Sequence, residues 1–289
     1  MSLPRLLSAI VAIILALGMI ILGGWYFTLG FGIIIYLGLQ EYFQLARAKG
    51  IMPAAKTTLV VSLLLLITST AFPVLADAVM PIAGTLICFY LLFQPKFATI
   101  ADIATSVLGL FYGGYLPSYW VRLRSLGTVE SSNLPLWGYW PFPFDGIKAL
   151  PQGLTVTLLA FGCIWAADIG AYFIGKFFGK TRLSDISPKK TVEGAVFGVF
   201  ASMMVGVAGG WILGWNGSPI TGMALGVIIG VASLLGDLTE SMMKRDAGVK
   251  DSGQLIPGHG GILDRADSYV FTAPLVYYFV TLLLPIIPG

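Results

Sequence analysis

Residues 236–268 read GDLTESMMKRDAGVKDSGQLIPGHGGILDRADS and form a polar segment within a largely apolar chain. The segment holds six of the fourteen Asp and Glu residues, four of the seventeen Lys and Arg residues, and the only histidine, His259. The packing of apolar side chains does not explain why so many charged residues occur in one segment. Because ionisable groups are expensive beside a membrane segment, we interpret the polar segment as a functional site.

The composition of the chain is that of an integral membrane protein. Hydrophobic residues make up 57% of it, charged residues make up 11%, and the mean hydropathy is +0.87. Soluble domains carry about a quarter charged residues, so the chain falls outside that class. The net charge of +3 is too small to suggest nucleic acid as a partner. Cys88 and Cys163 lie in apolar runs, which argues against a disulfide framework or a zinc site.

The apolar runs predict an all-α polytopic membrane fold. A helix needs roughly 20 apolar residues to cross the hydrocarbon core, and about nine runs meet that length. The predicted spans cover approximately residues 6–23, 25–43, 57–75, 78–94, 99–120, 153–178, 194–214, 219–238 and 268–287. We expect residues 1–150 to supply N-terminal transmembrane helices and residues 151–289 to supply a C-terminal catalytic region of the same unit. The first run is long and lacks a clear cleavage site, so we expect a retained helix.

The basic residues predict the orientation of these spans, because cytoplasmic loops carry the excess of Lys and Arg. With the N-terminus inside, fourteen of the seventeen basic residues fall on the cytoplasmic side and three, Arg122, Arg124 and Lys148, fall outside. The polar segment then faces the cytoplasm, where nucleotides are available, and nine spans place the C-terminus outside. The outer loop, residues 121–152, is rich in aromatic residues, which favours anchoring at the membrane surface; a role in lipid entry is the alternative.

Helical spacing would bring the acidic residues of the polar segment together. The residues at positions i, i+3, i+4 and i+7 at the end of the eighth span are Asp237, Glu240, Ser241 and Lys244. They share one face if this span stays helical. The same spacing recurs at the start of the ninth span with Asp264, Asp267 and Ser268. Two helix ends would then direct carboxylates toward one aqueous pocket, which favours Mg²⁺ because this ion takes one or two carboxylates together with substrate phosphates.

The connection between these two helices suits close approach to a phosphate. Pro257 and three nearby glycines let the backbone bend, and exposed amides in such a bend can bind phosphate. With Lys250 and Arg265, these features favour phosphoryl or nucleotidyl transfer, in which catalysis is mostly positioning and charge neutralisation. An ordinary charged loop would explain the cations but not the six acids and the GHGG turn. For His259 three roles stay open: it could be a general base, it could donate a hydrogen bond to a phosphate, or it could form a hydrogen bond within the loop.

A second inner loop, within residues 165–198, has similar features. Asp168 lies well inside the sixth predicted span, where a membrane-embedded acid requires a partner. Lys189 and Lys190 precede a predicted helix start, which is a suitable position for an anion. Lysines near a span end are usually only topology markers, so this loop alone is a weak signal.

The polar segment resembles the signature of phosphatidate cytidylyltransferases, also called CDP-diacylglycerol synthases. That signature is S-x-x-K-R, then K-D after four residues, then G-x-x-[IL]-P-x-H-G-G-x-x-D-R-x-D. The matching residues here are Ser241, Lys244, Arg245, Lys250, Asp251, Gly253, Ile256, Pro257, His259, Gly260, Gly261, Asp264, Arg265 and Asp267. Ala266 is a small departure, since the family usually has a larger aliphatic residue there, and it affects packing only. The residues around Asp168 and the run SPKKTVEG at 187–194 also resemble the family, and the lack of a long soluble N-terminal tail is similar to the bacterial type.

This resemblance implies an enzyme of the plasma (inner) membrane that condenses CTP with phosphatidate, giving CDP-diacylglycerol and pyrophosphate, and that depends on Mg²⁺. It implies catalytic roles for Asp237, Lys250, Asp251, His259, Asp264, Arg265 and Asp267. It implies substrate-binding roles for Asp168, Ser187, Lys189, Lys190, Glu193, Ser241, Lys244, Arg245, Gly260 and Gly261. We expect Asp237 and Asp264 to ligate Mg²⁺, with Asp267 as a further ligand or supporting partner. A second cation and a homodimer stay open.

Two other classes of membrane protein are alternatives. A proton- or cation-coupled carrier would also hold intramembrane acids such as Asp168 and Asp237, but its polar groups would lie near the middle of the membrane. The chain also shows no inverted repeat. A CDP-alcohol phosphotransferase would carry the motif D-G-x-x-A-R…G-x-x-x-D-x-x-x-D, which this sequence lacks. Formation of a CDP-lipid from CTP and phosphatidate distinguishes all three classes.

Overall fold

The computed structural model describes residues 3–127, 131–253 and 260–288, with side chains from residue 10 onward, and it is helical throughout. The helices are α1 Leu3–Leu22, α2 Gly24–Ala48, α3 Ala55–Ala71, α4 Ala76–Leu92, α5 Ile100–Leu108, α6 Leu116–Arg124, α7 Gln152–Phe178, α8 Val192–Ile212, α9 Ile220–Asp246, α10 Leu263–Val270 and α11 Thr272–Tyr278. Within these ranges, β structure is limited to two isolated bridges. The predicted all-α fold is therefore confirmed.

The predicted number of about nine spans is not confirmed. In the described part of the chain, six helices are long and apolar enough to cross a membrane, namely Gly24–Ala48, Pro73–Leu92, Gln152–Phe178, Val192–Ile212, Ile220–Asp246 and Leu263–Ile286. Two further apolar helices, Ile10–Leu22 and Ala55–Ala71, are shorter. The fifth predicted span, 99–120, consists of α5, a π-helical turn at Gly109–Tyr115, and α6, which carries two arginines. A hydropathy reading counts this interrupted helix as one ordinary span.

The last two predicted spans have different ends in the structure, and this difference brings the acids onto helices. The eighth span does not stop near residue 238, because α9 continues as a helix to Asp246. The ninth begins at Leu263 rather than near residue 268. The acidic residues therefore lie within the last turns of α9 and along α10, and the predicted common face on α9 is present.

One hydrophobic core joins the two halves of the chain. The buried cluster includes Phe27 of α2, Trp120 of α6, Phe161 of α7 and Val276 of α11. The indole N–H of Trp120 also donates to the carbonyl oxygen of Tyr269, at 3.0 Å. Helices from both parts of the chain thus share this core, and α2 and α6 lie directly against α10.

Glycines set the spacing of α7, α8 and α9. A Cβ atom at Gly198 of α8 would collide with the backbone of α7, and one at Gly206 would collide with Gly222 and Gly226 of α9. Small residues allow such close approach between helices in a membrane, where van der Waals packing drives association. The hydroxyl of Ser202 adds a hydrogen bond of 2.8 Å to the carbonyl oxygen of Gly226. This packing fixes α7 and α9, which carry five of the predicted site residues, namely Asp168, Asp237, Ser241, Lys244 and Arg245.

Two arginines predicted for the outer loop are instead buried in α6. Arg122 is 2% exposed and pairs with Asp77 at 2.8 Å, while Arg124 is 1% exposed and donates to the carbonyl oxygens of Ile20 and Ile21. Buried guanidinium groups are tolerated there because a carboxylate and the open carbonyls at the end of α1 accept their hydrogen bonds. The outer loop therefore begins after Arg124.

Candidate active site

A cavity of about 1170 Å³ lies among α1, α2, α7, α8, α9 and α10. Its charged lining residues, which we call the charged end, include Asp168, Lys189, Lys190, Asp237, Lys244, Asp251, Asp264, Arg265 and Asp267. Its apolar lining residues, which we call the apolar arm, include Ile13, Met19, Phe27, Phe31, Phe161 and Trp165. The fold thus brings the two predicted polar loops together at one site and places an apolar arm beside them.

The segment between α7 and α8 supplies a lysine to this site. Lys190 forms an ion pair with Asp237 of α9. Its backbone N–H donates to the carbonyl oxygen of Ser187 at 3.0 Å, and its own carbonyl oxygen accepts from Leu183 at 2.9 Å. Lys189 is exposed next to it and lines the cavity. The predicted anion site before α8 therefore faces the acids of α9.

Glu193 holds this segment in place and does not line the cavity described above. Its carboxylate accepts hydrogen bonds from the backbone N–H groups of Lys180 and Thr181, at 3.1 to 3.2 Å. Thr191 caps the N-terminus of α8 by accepting from the N–H of Gly194 at 3.2 Å. These contacts fix the backbone on both sides of Lys190, and the binding role of Glu193 stays a prediction.

Asp168 of α7 is exposed and lines the charged end of the cavity. The sequence predicted that this membrane-embedded acid requires a partner. The hydroxyl of Ser233 on α9 lies 3.5 Å from its carboxylate. Asp168 and Asp267 both lie within electrostatic range of Asp237. Three acids on three helices thus converge, and their mutual repulsion favours a cationic ligand between them.

Lys244 joins α9 to α10. Its ammonium group lies 2.5 Å from the carboxylate of Glu240, one turn earlier, and 2.5 Å from the carboxylate of Asp264. Glu240 is fully buried, so a partner for its charge is essential. Lys244 was predicted to bind substrate, but its contacts in the structure hold two helix ends together.

Asp264 lies at the centre of a hydrogen-bond network. One carboxylate oxygen accepts from Lys244, and the other accepts from the N–H and hydroxyl of Ser252, each at 3.0 Å, and from the N–H of Gly261 at 2.8 Å. Asp267 is buried and accepts from the N–H of Ser268 at 2.7 Å. Asp264 could bind a metal ion only by giving up part of this network.

The acids of the site fit Mg²⁺ in the company of phosphate oxygens. Within the described ranges, no group of three His, Cys, Asp or Glu side chains is arranged to hold a metal ion on its own. Asp237 and Asp267 nevertheless line the same end of the cavity. Because Mg²⁺ is usually bound through one or two carboxylates plus substrate phosphates and water, a complete protein cage is not required.

The remaining predicted residues are distributed unevenly around the cavity. Ser187, Asp251 and Arg265 line it, whereas Ser241, Arg245 and Lys250 do not line the cavity described above. Ser241 lies 3.4 Å from Asp237 through its hydroxyl, and Arg245 donates to the carbonyl oxygens of Ile186 and Val249. Gly260 has a φ of 82° and lies beside Asp264, and Gly261 packs against Ser252. Ile256, Pro257 and His259 lie outside the described residues.

Glu41 contacts the site region but was not among the residues predicted from the sequence. This residue of α2 is 6% exposed, and its carboxylate accepts from the N–H groups of Ile262 and Leu263 and from the hydroxyl of Ser252. A signal was available, because Glu41 falls inside the second predicted span. The argument that a membrane-embedded acid requires a partner, applied to Asp168, holds equally for it.

Comparison with known proteins identifies the family. A family model described as the cytidylyltransferase family matches residues 3–283. The chain is 67% identical to a phosphatidate cytidylyltransferase of Synechocystis sp. over 99% of both chains. It is 40% identical to the chloroplastic phosphatidate cytidylyltransferase 4 of Arabidopsis thaliana, over 92% of this chain and 70% of that protein. It is 29% identical to a phosphatidate cytidylyltransferase of Staphylococcus aureus, over 94% and 96%. As the signature in the polar segment predicts, the chain belongs to the cytidylyltransferase family.

Proposed function

We propose that this protein is a phosphatidate cytidylyltransferase, which condenses CTP with phosphatidate to give CDP-diacylglycerol and pyrophosphate. The observation that carries this proposal is a cavity whose lining combines acids and cations with a set of apolar side chains. A nucleoside triphosphate with its metal ion requires the first environment, and a phospholipid requires both. The names of the relatives support the same reaction.

The apolar arm suits the acyl chains of phosphatidate. It is lined by Met19 of α1, Phe27 and Phe31 of α2, and Phe161 and Trp165 of α7. A lipid bound there places its phosphate at the charged end, close to Asp237 and Lys190. In this proposal the lipid approaches from the bilayer and CTP arrives from the aqueous side.

In the reaction, a phosphate oxygen of phosphatidate attacks the α-phosphorus of CTP, and the bond to the β-phosphate breaks so that pyrophosphate leaves. Catalysis of such a transfer is mainly positioning and neutralisation of phosphate charge. Lys189, Lys190 and Arg265 supply positive charge at the cavity, and a triphosphate would compete with Asp237 for Lys190. Lys250, Asp251 and His259, in the middle of the polar segment, are proposed to have catalytic roles because they match the family signature.

Asp237 and Asp267 are the carboxylates best placed to hold Mg²⁺ together with phosphate oxygens. The metal ion, when bound, would neutralise charge on the reacting and leaving phosphates. To bind the metal ion as well, Asp264 would have to release Lys244 or one of its backbone donors. Its main role in this proposal is therefore to hold the ends of α9 and α10 together. A second cation would use the same group of acids.

The reaction itself is tested with purified protein in lipid vesicles containing phosphatidate. With labelled CTP and Mg²⁺, we expect CDP-diacylglycerol and pyrophosphate to form in equal amounts, and no product when phosphatidate or Mg²⁺ is omitted. Correctly folded protein that forms no CDP-lipid under these conditions would overturn the proposed function.

We further propose that the protein lies in the plasma (inner) membrane, with the N-terminus and the site on the cytoplasmic side and the C-terminus outside. A homodimer is a separate proposal. The excess of Lys and Arg in the inner loops supports this orientation. An odd number of crossings places the two chain ends on opposite sides, whereas six crossings would place them on one side. A cysteine at position 289, in a Cys88→Ser background because Cys88 is exposed, decides between them. We expect labelling in intact cells; labelling only after the membrane is opened would refute this orientation.

A further inference from the structure

We propose that Glu41 of α2 is a positioning residue for this reaction, which clamps the start of α10 and thereby places Asp264 and Lys244. This inference rests on the proposed function for its activity readout. Glu41 does not line the cavity described above, so it acts through other residues. It lies far from the polar segment in sequence and belongs to a helix that carries no part of the family signature.

The carboxylate of Glu41 serves as a cap for α10 from a different helix. One oxygen accepts from the N–H of Ile262 at 3.0 Å, and the other accepts from the N–H of Leu263 at 2.9 Å. The first N–H groups of a helix have no partner within the helix, and negative charge is favoured at that end. Ile262, the N-cap residue of α10, has no side chain that can provide a cap. Glu41 therefore fixes where α10 begins.

The same carboxylate also holds the residue that enters the glycine-rich connection. The hydroxyl of Ser252 lies 2.8 Å from Glu41 and 3.0 Å from Asp264, and it has one proton to share between them. Ser252 precedes the connection and Ile262 follows it, so Glu41 contacts both of its ends. A continuous series of polar contacts runs from Glu41 through Ser252 and Asp264 to Lys244.

Two glycines of the family signature are required by this clamp. A Cβ atom at Gly253 or Gly261 would collide with the carboxylate of Glu41. Glycine allows the close approach of backbone to a ligand or, here, to a buried side chain. The buried carboxylate thus requires three donors and two glycines at fixed positions in the described residues on either side of residues 254–259.

The test compares three purified variants in the CTP and phosphatidate assay. Glu41→Gln keeps the size of the side chain but places an amide NH₂ against groups that are all donors. We expect kcat per folded molecule to fall by about 100-fold, the effect of a misplacement on the order of 1 Å. The Mg²⁺ concentration for half-maximal activity should rise in parallel. Glu41→Asp, which keeps the charge, should restore part of the loss.

The matched control is Asp246→Asn. Asp246 of α9 pairs with Lys49, just beyond α2, at 3.3 Å, with both side chains well exposed. It is thus a carboxylate that joins α9 to the segment just beyond α2, and it makes no hydrogen bond or ion pair with α10 among the residues that the structure describes. Exposed ion pairs contribute little, so we expect its activity to stay within about twofold of wild type.

A second measurement separates the clamp from the proposed function. Hydrogen exchange of the Ile262 and Leu263 amides should be faster in Glu41→Gln than in wild type and unchanged in Asp246→Asn. In activity, Glu41→Gln and Ser252→Ala together should cost less than the sum of their separate effects, because they belong to one network. Wild-type kcat and Mg²⁺ dependence in folded Glu41→Gln would overturn the proposal, as would unchanged exchange. Wild-type protein without activity would contradict the proposed function, while the exchange comparison would still decide the clamp.

Discussion

Two groups of charged residues, each built around a buried cation, lie at opposite ends of the helical bundle, and they differ in what they face. At the site end, Lys244 bridges Glu240 and Asp264 and lines the large cavity. At the other end, Arg122 pairs with Asp77 at 2.8 Å, and its guanidinium lies 4.4 Å from the ring centre of Tyr119. Both arginine and lysine are well embedded, so burial of charge is common to the two groups.

The two groups differ in whether their residues line the large cavity. Asp77 also accepts from the hydroxyl of Tyr115 at 2.9 Å, so the second group ties α4 to the π-helical turn and α6. Neither Asp77 nor Arg122 lines the cavity described above. An ionisable residue within a membrane segment is a functional candidate by default. The comparison shows that this rule needs a second criterion, namely access to a space that a ligand could occupy.

The largest effect on activity is expected at the site end, from Asp237→Asn and Asp264→Asn. Asn keeps the size and one oxygen but removes the charge that holds Mg²⁺ or Lys244. Each change should lower CDP-diacylglycerol formation by at least about 100-fold, as losses of preorganised charge do at other reacting centres. The measurement is turnover across a Mg²⁺ titration with protein that elutes normally on gel filtration. Asp264→Asn with wild-type turnover and Mg²⁺ dependence would contradict the proposed site, and Lys250 and His259 would then be the next residues to test.

An intermediate effect is expected from the lysines before α8. Replacing both Lys189 and Lys190 by Ala removes two charges that line the cavity, one of them paired with Asp237. Since a hydrogen bond to a charged group contributes about 1.5–3 kcal/mol, the KM for CTP should rise by roughly tenfold or more. Steady-state kinetics at saturating phosphatidate measure this. Unchanged kinetics in the double variant would leave the two lysines as topology markers only.

The smallest effect on activity is expected at the opposite end, from Asp77→Asn. The change leaves Arg122, which is buried, without its carboxylate, and it should destabilise the protein by about 1–3 kcal/mol. Activity per folded molecule should remain within about twofold of wild type. Thermal unfolding in detergent and the CTP assay, run on the same preparation, check the two statements. A strong loss of activity without a loss of stability would remove the distinction between the two ends of the bundle.

The sequence indicated the residues of the polar segment better than it indicated the contacts that hold this segment in place. The spacing of Asp237, Glu240 and Lys244 implied one helical face, and α9 does continue through all three. The signature around Asp264 predicted the family, which the comparisons confirm. Both conclusions depend on local patterns, either within one helix or within one contiguous motif.

The parts that were missed depend on contacts between distant segments. The ion pair of Arg122 with Asp77 and the capping of α10 by Glu41 join residues that no spacing rule relates. Arg122 was therefore assigned to a loop, and Glu41 was overlooked although it lies in a predicted span. The count of about nine spans was not confirmed, and one of the predicted spans, 99–120, contains a π-helical turn at Gly109–Tyr115 that a hydropathy window does not detect.

The glycine contacts between α8 and α9 also bear on how the protein is assembled in the membrane. The two helices are joined by a short connection, residues 213–219, and each of Gly206, Gly222 and Gly226 lies against the backbone of the other helix. Helices that pack this closely can associate as soon as both have entered the bilayer, without waiting for the rest of the chain. The α8–α9 hairpin would then act as a preassembled unit during insertion, and α10 would later add its carboxylates to a scaffold that is already rigid.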